Sequence, residues 1–258
     1  MAISLASISK SHATRPPIML IHGGPGVGKT TFAAGAENPV FIRTEDGLGA
    51  LEVSTFPLMH SFAEVLEALQ VLYTEQHPHN WVVIDSLSAL EPLIWQAVAK
   101  AEGKRNIEDL GYGKGYTIAL DYWRQLFDAL TALATDKGIG SLLIAHTDIT
   151  RYEAPDVEAY DRAQIKLHKR AFQLAFERCD IIGYAAQRVF LRKDGDGFKE
   201  RKIATGDGSR LLHLAEKPAF IAKNRYRLPE TLPFAWPDFS AALSASLNPA
   251  ATAAQPKE

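Results

Sequence analysis

The stretch "GGPGVGKT" at 23–30 restricts the possible folds of this chain more than any other segment. Its spacing is G-x-x-x-x-G-K-[ST], with the apolar run "PIMLIHG" (17–23) before it and a helix-compatible segment from about Lys29 after it. A strand that breaks into glycines and restarts as a helix gathers several backbone N–H groups around one anion. The positive end of the helix points at the same place. Gly23, Gly24, Pro25, Gly26, Val27, Gly28, Lys29, Thr30 and Thr31 are therefore assigned to a phosphate cradle. Lys29 would reach the β- and γ-phosphates of ATP, and the Thr30 hydroxyl would hold Mg²⁺.

The remaining pattern alternates strands with helices. "PVFIRTE" (39–45), "WVVID" (81–85), "GSLLIAH" (140–146), "DIIGYAAQ" (180–187) and "AFIAK" (219–223) read as strands. Ser61 and Glu64 have capping-box spacing ahead of the helical stripe Phe62, Val65, Leu66, Leu69, Leu72 and Tyr73. Further helices are expected from about Ser88, along the face Leu120, Trp123, Leu126, Phe127, Leu130 and Leu133, and at 162–177. A basic hairpin is expected at 188–204, turning at 194–197. Most strands are near-continuously apolar, which implies a mainly parallel sheet covered by helices on both faces, with a C-terminal β-hairpin region. One α/β domain is expected at 17–242, between an N-terminal segment (1–16, a candidate oligomerisation arm) and a small, polar tail (243–258) expected to be disordered.

Asp85 ends an apolar strand and suits the magnesium-side carboxylate, although an acidic helix cap would look the same in sequence. The next residue is Ser86, so no second acid stands there to activate water. "WVVIDSLSAL" resembles the second nucleotide motif of RecA-type recombinases, where a serine likewise follows the aspartate. That resemblance implies a RecA-like P-loop NTPase core whose catalytic glutamate comes from the tip of the strand after the phosphate-loop helix, here Glu45. It implies a γ-phosphate-sensing polar residue at the end of "LLIAH", here His146. "AKNRYRLP" (222–229) resembles the Lys-x-Arg element of ring helicases and clock ATPases of the RecA superfamily, which implies that Lys223 and Arg225 reach a neighbouring subunit's nucleotide. Together with "IEDLGYGKGY" and "IKLHKRAFQLAFERCDIIGYA", these segments resemble the phage RecA-like nucleotide-binding proteins over roughly residues 17–235. That group includes single-strand annealing proteins of the Sak type.

Net charge is −2, yet residues 162–227 hold 16 Lys/Arg against 7 Asp/Glu, leaving 12 against 23 elsewhere. Such segregation suggests a surface facing a polyanion. Read as a helix, 162–177 would align Arg162, Lys166, Lys169 and Arg170 in one stripe, with Arg192, Lys193, Lys199 and Arg201 added by the hairpin. The loop at 103–116 mixes Lys104 and Arg105 with Tyr112, which either stacks on a base or packs on the neighbouring helix. A merely solvated basic face remains the alternative.

The function expected from the resemblance is a Mg²⁺-dependent ATPase that binds single-stranded DNA as an oligomer and promotes annealing or recombination. A helicase-type motor and a nucleotide-dependent switch without nucleic acid are the alternatives. Implied partners are single-stranded DNA, further copies of the chain in a ring or filament, and a single-strand DNA-binding protein. No apolar run approaches the roughly 20 residues of a membrane span, no secretory signal is evident, and the lone Cys179 suits a reducing cytoplasm. For a phage-encoded chain that compartment would be the host cytoplasm.

Overall fold

A computed structural model describes residues 4–5, 15–153, 155, 158–194 and 201–247. Strand β1 (Ile18–Gly23) is buried along its whole length and runs through the phosphate loop into the short helix α1 (Lys29–Ala34). Strands β2 (Pro39–Arg43) and β3 (Ser54–Thr55) follow. Helix α2 (Phe62–Thr74) starts where Ser61 Oγ accepts the Glu64 N–H at 3.3 Å. The Glu64 carboxylate accepts the His60 N–H at 2.7 Å, one residue earlier than a reciprocal capping box requires.

Strand β4 (Trp81–Asp85) turns directly into α3 (Leu87–Ala101), capped by Ser86. A 3₁₀ turn at Ile107–Leu110 leads into α4 (Lys114–Asp136). Strand β5 (Gly140–Tyr152) is twice as long as its apolar core, because its outer half pairs antiparallel with β6 (Tyr160–Ile165). Helix α5 (Lys169–Arg178), strand β7 (Ile181–Gln187) and the ribbon β8 (Phe190–Asp194) with β9 (Arg201–Thr205) come next. Strands β10 (Arg210–His213), β11 (Lys223–Asn224) and β12 (Thr231–Pro233) precede the final helix, α6 (Trp236–Leu247).

The large sheet runs β12-β10-β7-β1-β5-β4-β2-β3, parallel from β7 to β3, with β10 and β12 antiparallel at one edge. Alternate side chains divide its core. Ile18, Leu20, Ile42, Val82, Ile84 and Leu143 face α2, α3, α4 and α5, whereas Met19, Ile21, Phe41, Val83, Leu142 and Ile144 face α1 and α6. Each strand is thus apolar on both sides, as its sequence implied. The result is the expected α/β architecture, a mainly parallel central sheet with helices on both faces and a phosphate loop after its first strand. Phe32 of α1 anchors the second face by stacking on Phe234 at 4.6 Å and meeting Trp236 and Phe239 edge-on. Among the described residues, no helix is long and apolar enough to cross a membrane.

Three expectations need correction. The helix expected at 162–177 begins only at Lys169; residues 160–165 form β6 instead, because a partner strand was available in the extended β5. The strand expected at 219–223 is reduced to Lys223–Asn224, preceded by a bridge between Phe220 and Ala163. The domain does not stop at residue 242: α6 continues to Leu247 and buries Leu243 against the second face. Most of the 1–16 segment, residues 195–197 of the turn expected at 194–197 and the end of the tail lie outside the described residues.

Candidate nucleotide site

The strand order sets the site. β5 lies between β1 and β4, so its middle separates the phosphate loop from Asp85. In register, Gly23 sits beside His146, and Asp85 beside Ile144 and Arg43. The C-terminal ends of β1, β4 and β2 therefore meet the middle of β5 at one edge, the usual ligand crevice of such sheets. A cavity of about 510 Å³ opens there, lined by the phosphate loop, Glu45, Asp85 and His146 among others.

Two glycines of the loop are sterically required. Gly28 caps α1 with φ 97°, a left-handed conformation that side chains resist. A Cβ on Gly23 would collide with the Ala185 carbonyl of β7. Lys29 is buried, and its Nζ donates to the carbonyls of Gly23 and Gly24 at 2.9 and 3.0 Å. Burial lowers its pKa from the usual lysine value, and the charges of Asp85 and Glu45 oppose that shift. The Thr30 hydroxyl donates to Asp85 Oδ2 at 2.8 Å. Burial raises the Asp85 pKa, and the Thr30 hydrogen bond pulls it back.

These two oxygens suit a magnesium ion. Adjacent ligands of an octahedral ion at 2.0–2.1 Å stand about 2.9 Å apart, close to their 2.8 Å separation. Both are also hard oxygen donors. Glu45, just past the end of β2, faces His146 across the cavity mouth, with Nε2 at 3.1 and 3.3 Å from its two oxygens. Sequence reasoning brought these five side chains together, and the structure places them around one cavity.

Four supporting residues were not foreseen. Thr44 Oγ1 donates to the Ser86 carbonyl at 2.6 Å and accepts the Ser86 N–H at 2.9 Å, tying β2 to the turn after Asp85. Ser88 Oγ accepts the His146 N–H and donates to the Lys166 carbonyl, both at 3.0 Å. Arg210 of β10 reaches over the loop and donates to the Val27 carbonyl at 3.1 Å. His22, fully buried in β1, donates from Nε2 to the Ile221 carbonyl, leaving Nδ1 to accept from the Thr147 hydroxyl, both at 2.9 Å. Burial lowers the His22 pKa to about 4, the Ile221 hydrogen bond opposes that shift, and the Lys29 charge adds to it. No short motif marks any of the four, because their partners lie from 42 to 199 residues away.

Lys223 and Arg225 lie elsewhere. β11 pairs with the start of β7, Lys223 opposite Ile182, whereas the phosphate loop meets β7 at Ala185. Arg225 N–H bonds the Asp180 carbonyl, five residues below that level, roughly 17 Å along a strand. Lys223 Nζ caps the end of α5, donating to the carbonyls of Phe176, Glu177 and Cys179. Arg225 is more than half exposed and only 3.8 Å from Asp180. Neither can serve the nucleotide site of its own subunit.

The expected polyanion surface also changes. Arg162 leaves the stripe: it is buried on β6, paired with Glu216, and lies under the Tyr152 ring at 5.2 Å. Lys166, Lys169 and Arg170 remain exposed, as do Lys104, Arg105 and Tyr112 on the 103–116 loop. Tyr112 stands fully in solvent at φ 47°. Arg192 and Lys193 lie on β8 and Arg201 on β9, and Lys199 falls outside the described residues.

A glycine-wrapped anion cradle, a threonine–aspartate oxygen pair and a glutamate at the next strand tip define a P-loop nucleotide-binding domain of the NTPase class. An AAA-domain family model matches residues 15–226, and the chain belongs to that family. No curated protein matches it. Among solved structures it is similar to the RadB recombinase at 16% identity and a TM-score of 0.46, covering 85% of this chain and 86% of that one.

Proposed function

We propose that the protein is an oligomeric ATPase that acts on single-stranded DNA, in annealing or a related recombination step. The observation that carries the hydrolytic part is Glu45: its carboxylate stands 3.1 Å from His146 Nε2 at the mouth of the cavity that holds Lys29, Thr30 and Asp85. Thr30 and Asp85 would hold Mg²⁺, which when bound neutralises phosphate charge. The loop amides and Lys29 bind and orient the triphosphate. Glu45 takes the proton of the attacking water, and the His146 Nε2–H keeps the carboxylate aimed; a γ-phosphate would compete for that same N–H, which is how His146 senses it. Arg225 of an adjacent subunit supplies charge across an interface, since its own site lies beyond its reach. Lys223 serves mainly to fix the end of α5 beside it.

The DNA part is supported by the cations that stay exposed, Lys166, Lys169 and Arg170, and by the 103–116 loop. These lie on the side of the sheet where Ser88 links the His146 backbone to the segment before α5. The test is ATP turnover with and without oligo-dT. Turnover that rises several-fold with the oligonucleotide, together with a salt-dependent affinity for it, supports the proposal. DNA-independent turnover without oligonucleotide binding would make the protein a nucleotide switch, and unwinding of a forked duplex would make it a motor.

A further inference from the structure

A second cavity, about 850 Å³, lies beside the nucleotide site between α3, the β5–β6 hairpin and the start of α5. At its floor is Glu91, a carboxylate 5% exposed in the first half of α3. The one donor it has among the described residues is the His168 N–H, shared between its two oxygens at 3.0 and 2.9 Å. A carboxylate has room for about four hydrogen bonds, so two or more acceptor positions remain on this buried group for whatever enters the cleft. Leaving them unmet is costly.

The walls have a different chemistry. Trp95, Tyr152 and Phe172 offer ring surface, and Arg162 beneath Tyr152 at 5.2 Å holds that ring in place. Lys166 and Lys169 stand exposed at the rim. Cations outside, aromatic faces along the walls and an acceptor at the bottom match a nucleotide entering base first: phosphate to the lysines, ring to the aromatics, donor edge to the acid. The acceptor also selects the base. Guanine alone carries two adjacent donors, N1–H and the 2-amino group, which can meet both oxygens of one carboxylate. Thymine offers its N3–H between two carbonyls, and the adenine and cytosine amines each sit beside a ring acceptor.

We propose that this cleft takes one unstacked guanine of a bound single strand, held by Glu91. The proposal rests on the single-strand reading above and adds a base preference to it. The cleft shares a wall with the nucleotide site. Ser88 lines it while bonding the His146 backbone and the Lys166 carbonyl. Occupancy of the cleft is thus felt at the point of β5 that carries His146.

The experiment uses fluorescence anisotropy of the full chain with labelled oligo-dT, and with the same strand carrying one central dG or one deoxyinosine, which lacks the 2-amino group. It is run at pH 8, because burial pushes Glu91 up to about 7. The dG strand should bind about tenfold more tightly than oligo-dT, as a bidentate base contact implies, with deoxyinosine in between. Glu91→Gln should bring the dG-to-dT affinity ratio close to one, and an unchanged ratio would overturn the assignment of the base to Glu91. Three equal affinities in the wild type would overturn the guanine site yet leave the single-strand reading intact. Absence of binding to every strand would overturn both. Loss of the dG advantage in the presence of equimolar free dGMP would make the cleft a mononucleotide site and overturn its assignment to a strand.

Discussion

Replacing Glu91 with glutamine should make the protein more stable above neutral pH, not less. Glu91 is buried where α3, the β5–β6 hairpin and the start of α5 meet, and among the described residues its carboxylate has one N–H donor, from His168. Burial pushes its pKa up from 4.5 to about 7, partly opposed by that hydrogen bond. The native state therefore holds a proton between pH 4.5 and 7 that the unfolded chain has released. Stability from this group is complete below the unfolded pKa and is lost as pH rises through 7. A gap of about 2.5 units corresponds to at most about 3 kcal/mol. Glutamine keeps the acceptor for His168 and never ionises. Urea unfolding of wild type and Glu91→Gln from pH 4.5 to 8.5 cancels every other titration in the difference. The variant should gain about 2–3 kcal/mol on the wild type across that range. Parallel stability curves would refute the reasoning.

His22 gives the opposite dependence: held neutral down to about pH 4, it should cost about 3 kcal/mol of stability as pH falls from 6.5 to 4, and His22→Gln, though less stable overall, should lack that acid slope. Lys29→Ala should lose tight ATP binding by calorimetry while its circular dichroism stays native, since the buried ammonium is the loop's principal cation. Mixing Arg225→Ala with Glu45→Gln should restore part of the turnover that each lacks alone, because a mixed interface joins an intact base to an intact arginine. Charge supplied across an interface can be worth roughly 10³–10⁵ in rate, so a dead mixture with co-assembly confirmed by light scattering would remove Arg225 from the site.

The nucleotide end of the molecule was legible because its signals are local. A phosphate loop needs its glycines at fixed spacing, and an apolar strand ending in Asp85 can place that carboxylate in one region only. Glu45 and His146 came from the resemblance to RecA-type recombinases, which implies a glutamate and a polar residue at those two strand positions. The basic region misled because four cations at helical spacing over nine residues are in fact divided among β6, which holds Arg162, the connection with Lys166, and α5, which begins at Lys169. Only a partner strand, β5, decided against one continuous helix, and that pairing lies across a turn. Arg162 then turned inward to Glu216, a contact 54 residues away in the chain. Helix α6 was hidden for another reason. Its last residues, "LSASL", are small and resemble a tail, yet Trp236, Phe239 and Leu243 recur at helical spacing and cover the second face of the sheet. Glu91 and Ser88 carry no motif. Their importance comes from burial and from contacts 77 and 58–78 residues apart in sequence.

The central claim is that Glu45 is the base of a site that Lys29, Thr30 and Asp85 otherwise complete. The most direct measurement is single-turnover ATP hydrolysis by Glu45→Gln in the presence of oligo-dT, with ATP affinity determined on the same sample. Glutamine keeps the size and the hydrogen-bonding reach toward His146 but cannot accept the proton. Binding should stay within a few-fold of the wild type while the hydrolytic rate falls about 10²-fold or more. Hydrolysis at the wild-type rate with binding intact would contradict the account, because the proton would then be leaving by another route.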